Sequence, residues 1–150
     1  MLGRAWIASR IPHQGSMCLL EEVTSWDAET VICRAVSHRA SDHPLRAHGR
    51  LGAVCGIEYA AQAMAVHGAL LAPSDLPASK AGFLVSVRGV KLHAARLDDI
   101  AEDLTVRASR LMGDENNIVY QFSVSVADRL LLEGRATVVT NANALTGRPT

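Results

Sequence analysis

The stretch that decides the fold is Leu51 to Ala72, LGAVCGIEYAAQAMAVHGALLA. It holds no proline, lysine or arginine and consists mostly of alanine, glycine, leucine, isoleucine, valine and methionine. Its length is about that of a bilayer-crossing helix. Glu58, Gln62 and His67 interrupt it, however, and its small residues make it weakly hydrophobic by the standards of membrane insertion. We read it instead as a helix apolar nearly all round, which belongs inside a protein. Gly52, Ala53, Gly56, Ala60, Ala61, Ala63 and Ala65 give it a thin surface that other backbone can approach closely. A curved sheet wrapped about the helix would need that surface.

Alternation with period 2 on the C-terminal side supplies such a sheet. Ile118, Tyr120, Phe122, Val124 and Val126 fall on one face, with Gln121, Ser123 and Ser125 on the other. After the short Ala127-Asp128-Arg129 turn, Leu130, Leu132, Gly134, Ala136 and Val138 alternate with Glu133, Arg135 and Thr137, so the two runs form a hairpin. Leu104, Val106 and Ala108 mark a third strand, folded back by the turn-forming Gly113-Asp114-Glu115-Asn116-Asn117. Phe83, Val85 and Val87 begin a fourth, with Gly89 as a bend or bulge. On the N-terminal side, Leu19 to Trp26 and Thr30 to Val36 pair across Asp27-Ala28-Glu29. Two strands, a long helix and three or four strands predict a single α+β domain over residues 1–140, its antiparallel sheet curled about the helix. Pro73 to Lys80 reads as a polar loop, and 141–150 as a flexible tail.

Composition narrows the function. The 150 residues, 49% hydrophobic and 20% charged, can bury a core without disulfides or a structural metal. Fifteen basic residues balance fifteen acidic ones with no basic run, which excludes a nucleic-acid binder that works by counterion release. Cys18, Cys33 and Cys55 are odd in number and lack CxxC spacing, which suits a reducing compartment. Met1 to Arg10 lacks the apolar core of a secretory signal, so the expected location is the cytoplasm. The histidines show neither HxH nor HxxxH spacing, and neither a metal nor a cofactor is expected.

Glu58 and Gln62 lie four residues apart, on one face of the helix near its N-terminal half. Burial would raise the carboxyl pKa, whereas the helix N-terminus favours the anion. The plainer reading is a structural glutamate satisfied by local donors. The loop just ahead, DHPLRAHGR over residues 42–50, adds His43 and His48, and a histidine with a carboxylate makes an acid/base pair. His13 reads as structural, His67 as a satisfied polar residue, His38 and His93 as surface residues, and Cys55 as a buried thiol. Arg88, Lys91, Arg46 and Arg50 make a candidate surface for an acidic carrier protein or a phosphate, against the commoner reading of a solvated charged face.

Two stretches carry a resemblance. Ile11-Pro12-His13-Gln14-Gly15-Ser16-Met17, followed by Leu19-Leu20-Glu21-Glu22-Val23, resembles the opening of the hotdog-fold 3-hydroxyacyl-acyl carrier protein dehydratases. Gly56-Ile57-Glu58-Tyr59-Ala60-Ala61-Gln62-Ala63 is similar to their central-helix motif, an acidic residue with Gln four positions on. The later strands, through Glu133-Gly134-Arg135-Ala136, follow in the same order, and the likeness is greatest to the dehydratases of aryl polyene pathways. It implies a hotdog domain and a dimer in which a histidine of one subunit and the helix glutamate of the other face the substrate. By position Glu58 is the acid. His48 is the leading candidate for the histidine and His43 the alternative, since the family's histidine stands further ahead of the acid than His48 does and slightly nearer than His43.

On this reading water is eliminated from a 3-hydroxyacyl thioester borne on acyl carrier protein. His48 takes the C2 proton, Glu58 holds or protonates the departing hydroxyl, backbone amides around Gly52 and Ala53 face the carbonyl, and Gln62 orients Glu58. Two other readings stay open. One is a hotdog thioesterase in which Glu58 activates water. The other is a non-catalytic subunit that holds an active, related hotdog partner, which the short spacing from His48 to Glu58, relative to the family's, favours. Homodimer and heterodimer are not separated by sequence.

Overall fold

The computed structural model describes residues 2–72, 83–114 and 116–139. Seven strands form one antiparallel sheet: β1 (Leu2–Gly3), β2 (Glu22–Trp26), β3 (Thr30–Ala35), β4 (Phe83–Leu92), β5 (Leu104–Gly113), β6 (Asn117–Val126) and β7 (Arg129–Val139), in the order β1-β2-β3-β5-β6-β7-β4. Among the described residues two α-helices accompany them, α1 (Arg4–Arg10) and α2 (Gly56–Leu71). A 3₁₀ turn over Ala53–Cys55 runs straight into α2, so the helical stretch Ala53–Leu71 is 19 residues long.

This is the hotdog arrangement. The apolar stretch weighed as a membrane span is the core helix, packed against β3, β5 and β6. Its small residues act as expected. Ala60 and Ala63 are fully buried, and Gly56 lies so close to β7 that a Cβ there would stand 2.6 Å from Leu132 Cδ2. The inward residues of β6, Ile118, Tyr120, Phe122, Val124 and Val126, are all buried, as period-2 alternation requires.

Turn chemistry sets the strand pairing. Asp27 Oδ1 accepts the amides of Glu29 and Thr30 at 2.8 Å each, closing the β2–β3 hairpin. Asp114 Oδ1 does the same for Asn116 and Asn117 between β5 and β6. Gly89 has φ +60°, and the β4–β7 register slips between Arg88 and Lys91, the bulge predicted there.

Three points depart from the sequence reading. The opening residues, to which no pattern assigns an element, form β1 and α1, with Ile7 buried and Arg10 stacked over Trp6. Leu19 to Glu21 is not strand: β2 begins at Glu22, because the preceding segment turns inward and buries Leu19 and Leu20. His38 is not at the surface but fully buried, its Nε2 placed 3.1 Å and 3.0 Å from the carbonyls of Ile100 and Glu102. The loop expected over Pro73 to Lys80 and the tail expected at 141–150 lie outside the described residues.

Candidate active site

Glu58 stands in the first turn of α2, where the helix macrodipole favours an anion. Its side chain is one-third exposed, and two side chains approach it. His13 Nε2 lies 3.0 Å from Glu58 Oε1, and Gln62 Nε2 donates to the same oxygen at a longer 3.4 Å. The His13 contact, aided by Gln62, holds the Glu58 carboxyl below its ordinary value although burial works against it. Glu58 is therefore a carboxylate at neutral pH.

Gln62 is locked by backbone on both sides of its amide. Its Oε1 accepts the Leu19 amide at 2.8 Å, which leaves Nε2 to donate to the Met17 carbonyl at 2.7 Å and to Glu58. The 3₁₀ turn Gly15–Met17, entered through Gly15 at φ +58°, brings His13 and Met17 to this one helix face. His13 is thus the histidine that meets Glu58 within the chain, where the sequence reading makes it structural. Its signal is the Pro-His opening itself, but His13 stands 45 positions ahead of Glu58 and no spacing rule spans that gap.

The two histidines of the site loop are placed differently. His43 is buried, its Nδ1 accepting the Leu45 amide at 3.0 Å and its Nε2 lying 3.0 Å from Tyr59 Oη. Both ring nitrogens are engaged, so the ring has no lone pair free for a substrate proton. His48 is exposed on a two-residue turn closed by paired hydrogen bonds between Ala47 and Arg50, at 2.9 Å and 3.0 Å. Its φ of +54°, followed by +75° at Gly49, is the left-handed pair of a type I′ turn, an uncommon conformation for histidine. Neither ring is hydrogen-bonded to Glu58 within the chain.

A buried carboxylate braces the entry to the helix. Asp98 accepts the Leu51 amide at 2.9 Å and pairs with Arg96, which pushes its carboxyl well below the usual range. The Leu97 amide reaches the Leu51 carbonyl at 2.8 Å, and the Ala53 amide the Ala95 carbonyl at 3.0 Å. The Ala53 N–H is thereby committed and is not a donor for a substrate carbonyl. No acceptor for the Gly52 N–H is found among the described residues, while its carbonyl takes the Cys55 amide. Arg46, grouped by sequence with a carrier-binding surface, is folded inward onto the Gly49 and Arg39 carbonyls and toward Asp98; Arg50 and Lys91 are exposed. Cys55 is half-buried, and burial raises its thiol pKa, as suits an inert thiol.

A family model described as ApeP-like, ApeP dehydratase, matches residues 5–146. No curated protein matches the chain in sequence. Among solved structures, the dehydratase heterocomplex ApeI:P from Xenorhabdus doucetiae is similar at 24% identity and a TM-score of 0.77, over 94% of this chain and 95% of that one. Zebrafish thioesterase superfamily member 2 aligns at 14% identity and a TM-score of 0.64, over 94% of this chain and 100% of that one. A thioesterase from Haemophilus influenzae gives 14% and 0.57, over 79% and 76%. At these identities the structural likenesses establish the fold.

Proposed function

The chain belongs to the ApeP-like dehydratase family, and from that premise we propose that it removes water from 3-hydroxyacyl thioesters carried on acyl carrier protein, as the glutamate-bearing half of a two-subunit site. The observation that carries this reading is the Glu58 carboxylate, held by His13 and Gln62 in the first turn of the core helix while still one-third exposed. A carboxylate in a partly dry site costs free energy, and two side-chain donors aimed at one of its oxygens offset that cost.

Elimination needs a base at C2 and a proton for the departing C3 hydroxyl. The base comes from across the subunit interface. His43 is engaged on both nitrogens, whereas His48 is displayed on a constrained outward turn, so in a homodimer His48 of the second subunit takes the C2 proton. The departing hydroxyl is held at the Glu58 carboxylate, and the proton that His48 took from C2 is returned to it as it leaves as water. One proton is taken and the same one given back, so both side chains end as they began. As charge builds on the thioester oxygen, the Gly52 amide is a backbone donor at the same helix entry.

A related hotdog subunit can supply the histidine instead. The similar ApeI:P structure is a heterocomplex, and β4 is the last strand of the sheet among the described residues, an edge along which a second subunit extends the sheet on this reading. The test is formation of the enoyl product from a short 3-hydroxyacyl carrier conjugate, followed by absorbance. It is run with the chain alone and with a co-expressed hotdog partner, alongside Glu58→Gln, His48→Ala and His43→Ala. Enoyl formation that depends on Glu58 supports the reading. Free thiol without enoyl product means a thioesterase, and no product in either assembly means a non-catalytic subunit.

A further inference from the structure

A chain of hydrogen bonds runs from His43 to Glu58, and its directions follow from one donor. The Leu45 amide can only donate, so His43 Nδ1 accepts and the ring proton sits on Nε2. That Nε2–H donates to Tyr59 Oη at 3.0 Å, which leaves the phenol to donate to Ser37 Oγ at 2.7 Å, and the Ser37 hydroxyl to donate to the Leu19 carbonyl at 2.8 Å. The Leu19 amide then donates to Gln62, and Gln62 donates to Glu58. Leu19 is therefore gripped on its carbonyl side by the Ser37 hydroxyl and on its amide side by the side chain that orients the carboxylate.

We infer that Ser37 and Tyr59 are positioning residues for Glu58, acting through the Leu19 backbone and Gln62, with His43 as the anchor. The assignment deepens the proposed function and rests on it for its catalytic consequence, but the structural linkage can be read independently. Tyr59 is fully buried, and a buried phenol needs only one partner; this one has two, arranged head to tail. The Leu19 carbonyl and amide belong to adjacent peptide units joined at its Cα, so the linkage is positional: losing the Ser37 hydroxyl loosens the Leu19 backbone and with it the amide that fixes Gln62. The segment held this way, Met17 to Leu19, also continues directly from the Gly15–Met17 turn that follows His13.

The same chain provides a control. Tyr120 is an equally buried phenol paired to a histidine, its Oη 2.7 Å from His67 Nδ1, and among the described residues no hydrogen bond leads from it toward Glu58. The experiment titrates the Glu58 carboxyl by ¹³C NMR in the full chain and measures kcat and KM for enoyl formation in its active assembly, for wild type, Ser37→Ala, Tyr59→Phe and Tyr120→Phe. The expected result is a Glu58 midpoint raised by about half a pH unit in Ser37→Ala and Tyr59→Phe and unmoved in Tyr120→Phe. In the same two variants kcat falls about tenfold with KM nearly unchanged. Ser37→Ala alone decides the matter if Tyr59→Phe does not fold. A Glu58 midpoint and kcat that stay at the wild-type values in Ser37→Ala would overturn the inference. A midpoint that moves in a protein with no dehydratase activity would uphold the linkage and reject the catalytic reading.

Discussion

The two halves of the central helix each carry a polar group held by hydrogen bonds, but they hold it differently. At the C-terminal half, His67 is fully enclosed, its Nδ1 on Tyr120 Oη at 2.7 Å and its Nε2 on the Asp27 carbonyl at 2.8 Å, with Arg110 donating to the same phenol at 3.2 Å. Every polar atom of the imidazole is satisfied internally, and the result is a clamp from helix to sheet. At the N-terminal half, Glu58 is partly exposed, held from one side by His13 and Gln62 and open on the other. A closed network stabilises, whereas a network with one open side leaves room for a ligand. One end of the helix is thus closed by its own partners, and the other keeps a carboxylate within reach of solvent.

The largest expected effect that separates the ends is on turnover. Glu58→Gln keeps the shape and the Gln62 contact but removes the charge, and enoyl formation should fall by about 10²-fold or more. Next is the cost of opening the clamp. His67→Phe leaves Tyr120 Oη and the Asp27 carbonyl short of a partner, and chemical denaturation should register a loss of about 2–4 kcal/mol with kcat close to wild type. Tyr120→Phe, which removes one hydroxyl, should cost only about 1 kcal/mol in the same measurement.

Acid offers a gentler probe of the same contrast. Burial lowers the pKa of His38, His43 and His67 from the ordinary value of 6.5. In the unfolded chain these rings take up protons near pH 6.5, while in the folded chain they stay neutral until lower pH. Stability should therefore be full above that pH and decline as the pH falls below it. Replacing His67 should flatten the decline, measured as the denaturation midpoint against pH. Glu58, whose folded value is also depressed, adds its own loss only at still lower pH, as its carboxylate is protonated.

Much of this was legible in the chain, for reasons that can be named. The helix announced itself by composition, and β5, β6 and β7 by strict alternation, because both signals are local and repeat. Gly89 was readable as a bulge because glycine inside a strand has few other uses. Glu58 and Gln62 stood out as polar residues in an apolar run, and their contact needs only the four-residue helical spacing.

What failed was long-range. His13 and Glu58 meet because a glycine turn and a buried backbone segment bring two distant stretches together, which no period encodes. His38 sits among polar residues in sequence yet is buried, because the loop that supplies its acceptors, Ile100 and Glu102, comes from far along the chain. The Ala53 amide fits an oxyanion donor in sequence terms and is excluded only because Ala95 arrives to accept it.

The most direct test of the division between the two ends is one paired measurement on Glu58→Gln and His67→Phe: enoyl formation from a 3-hydroxyacyl carrier conjugate, and the free energy of unfolding on the same preparations. The predicted result is a double dissociation, with turnover lost and stability kept in Glu58→Gln, and stability lost and turnover kept in His67→Phe. Turnover that survives in Glu58→Gln would contradict the account, since the carboxylate at the open end would then have no part in the chemistry.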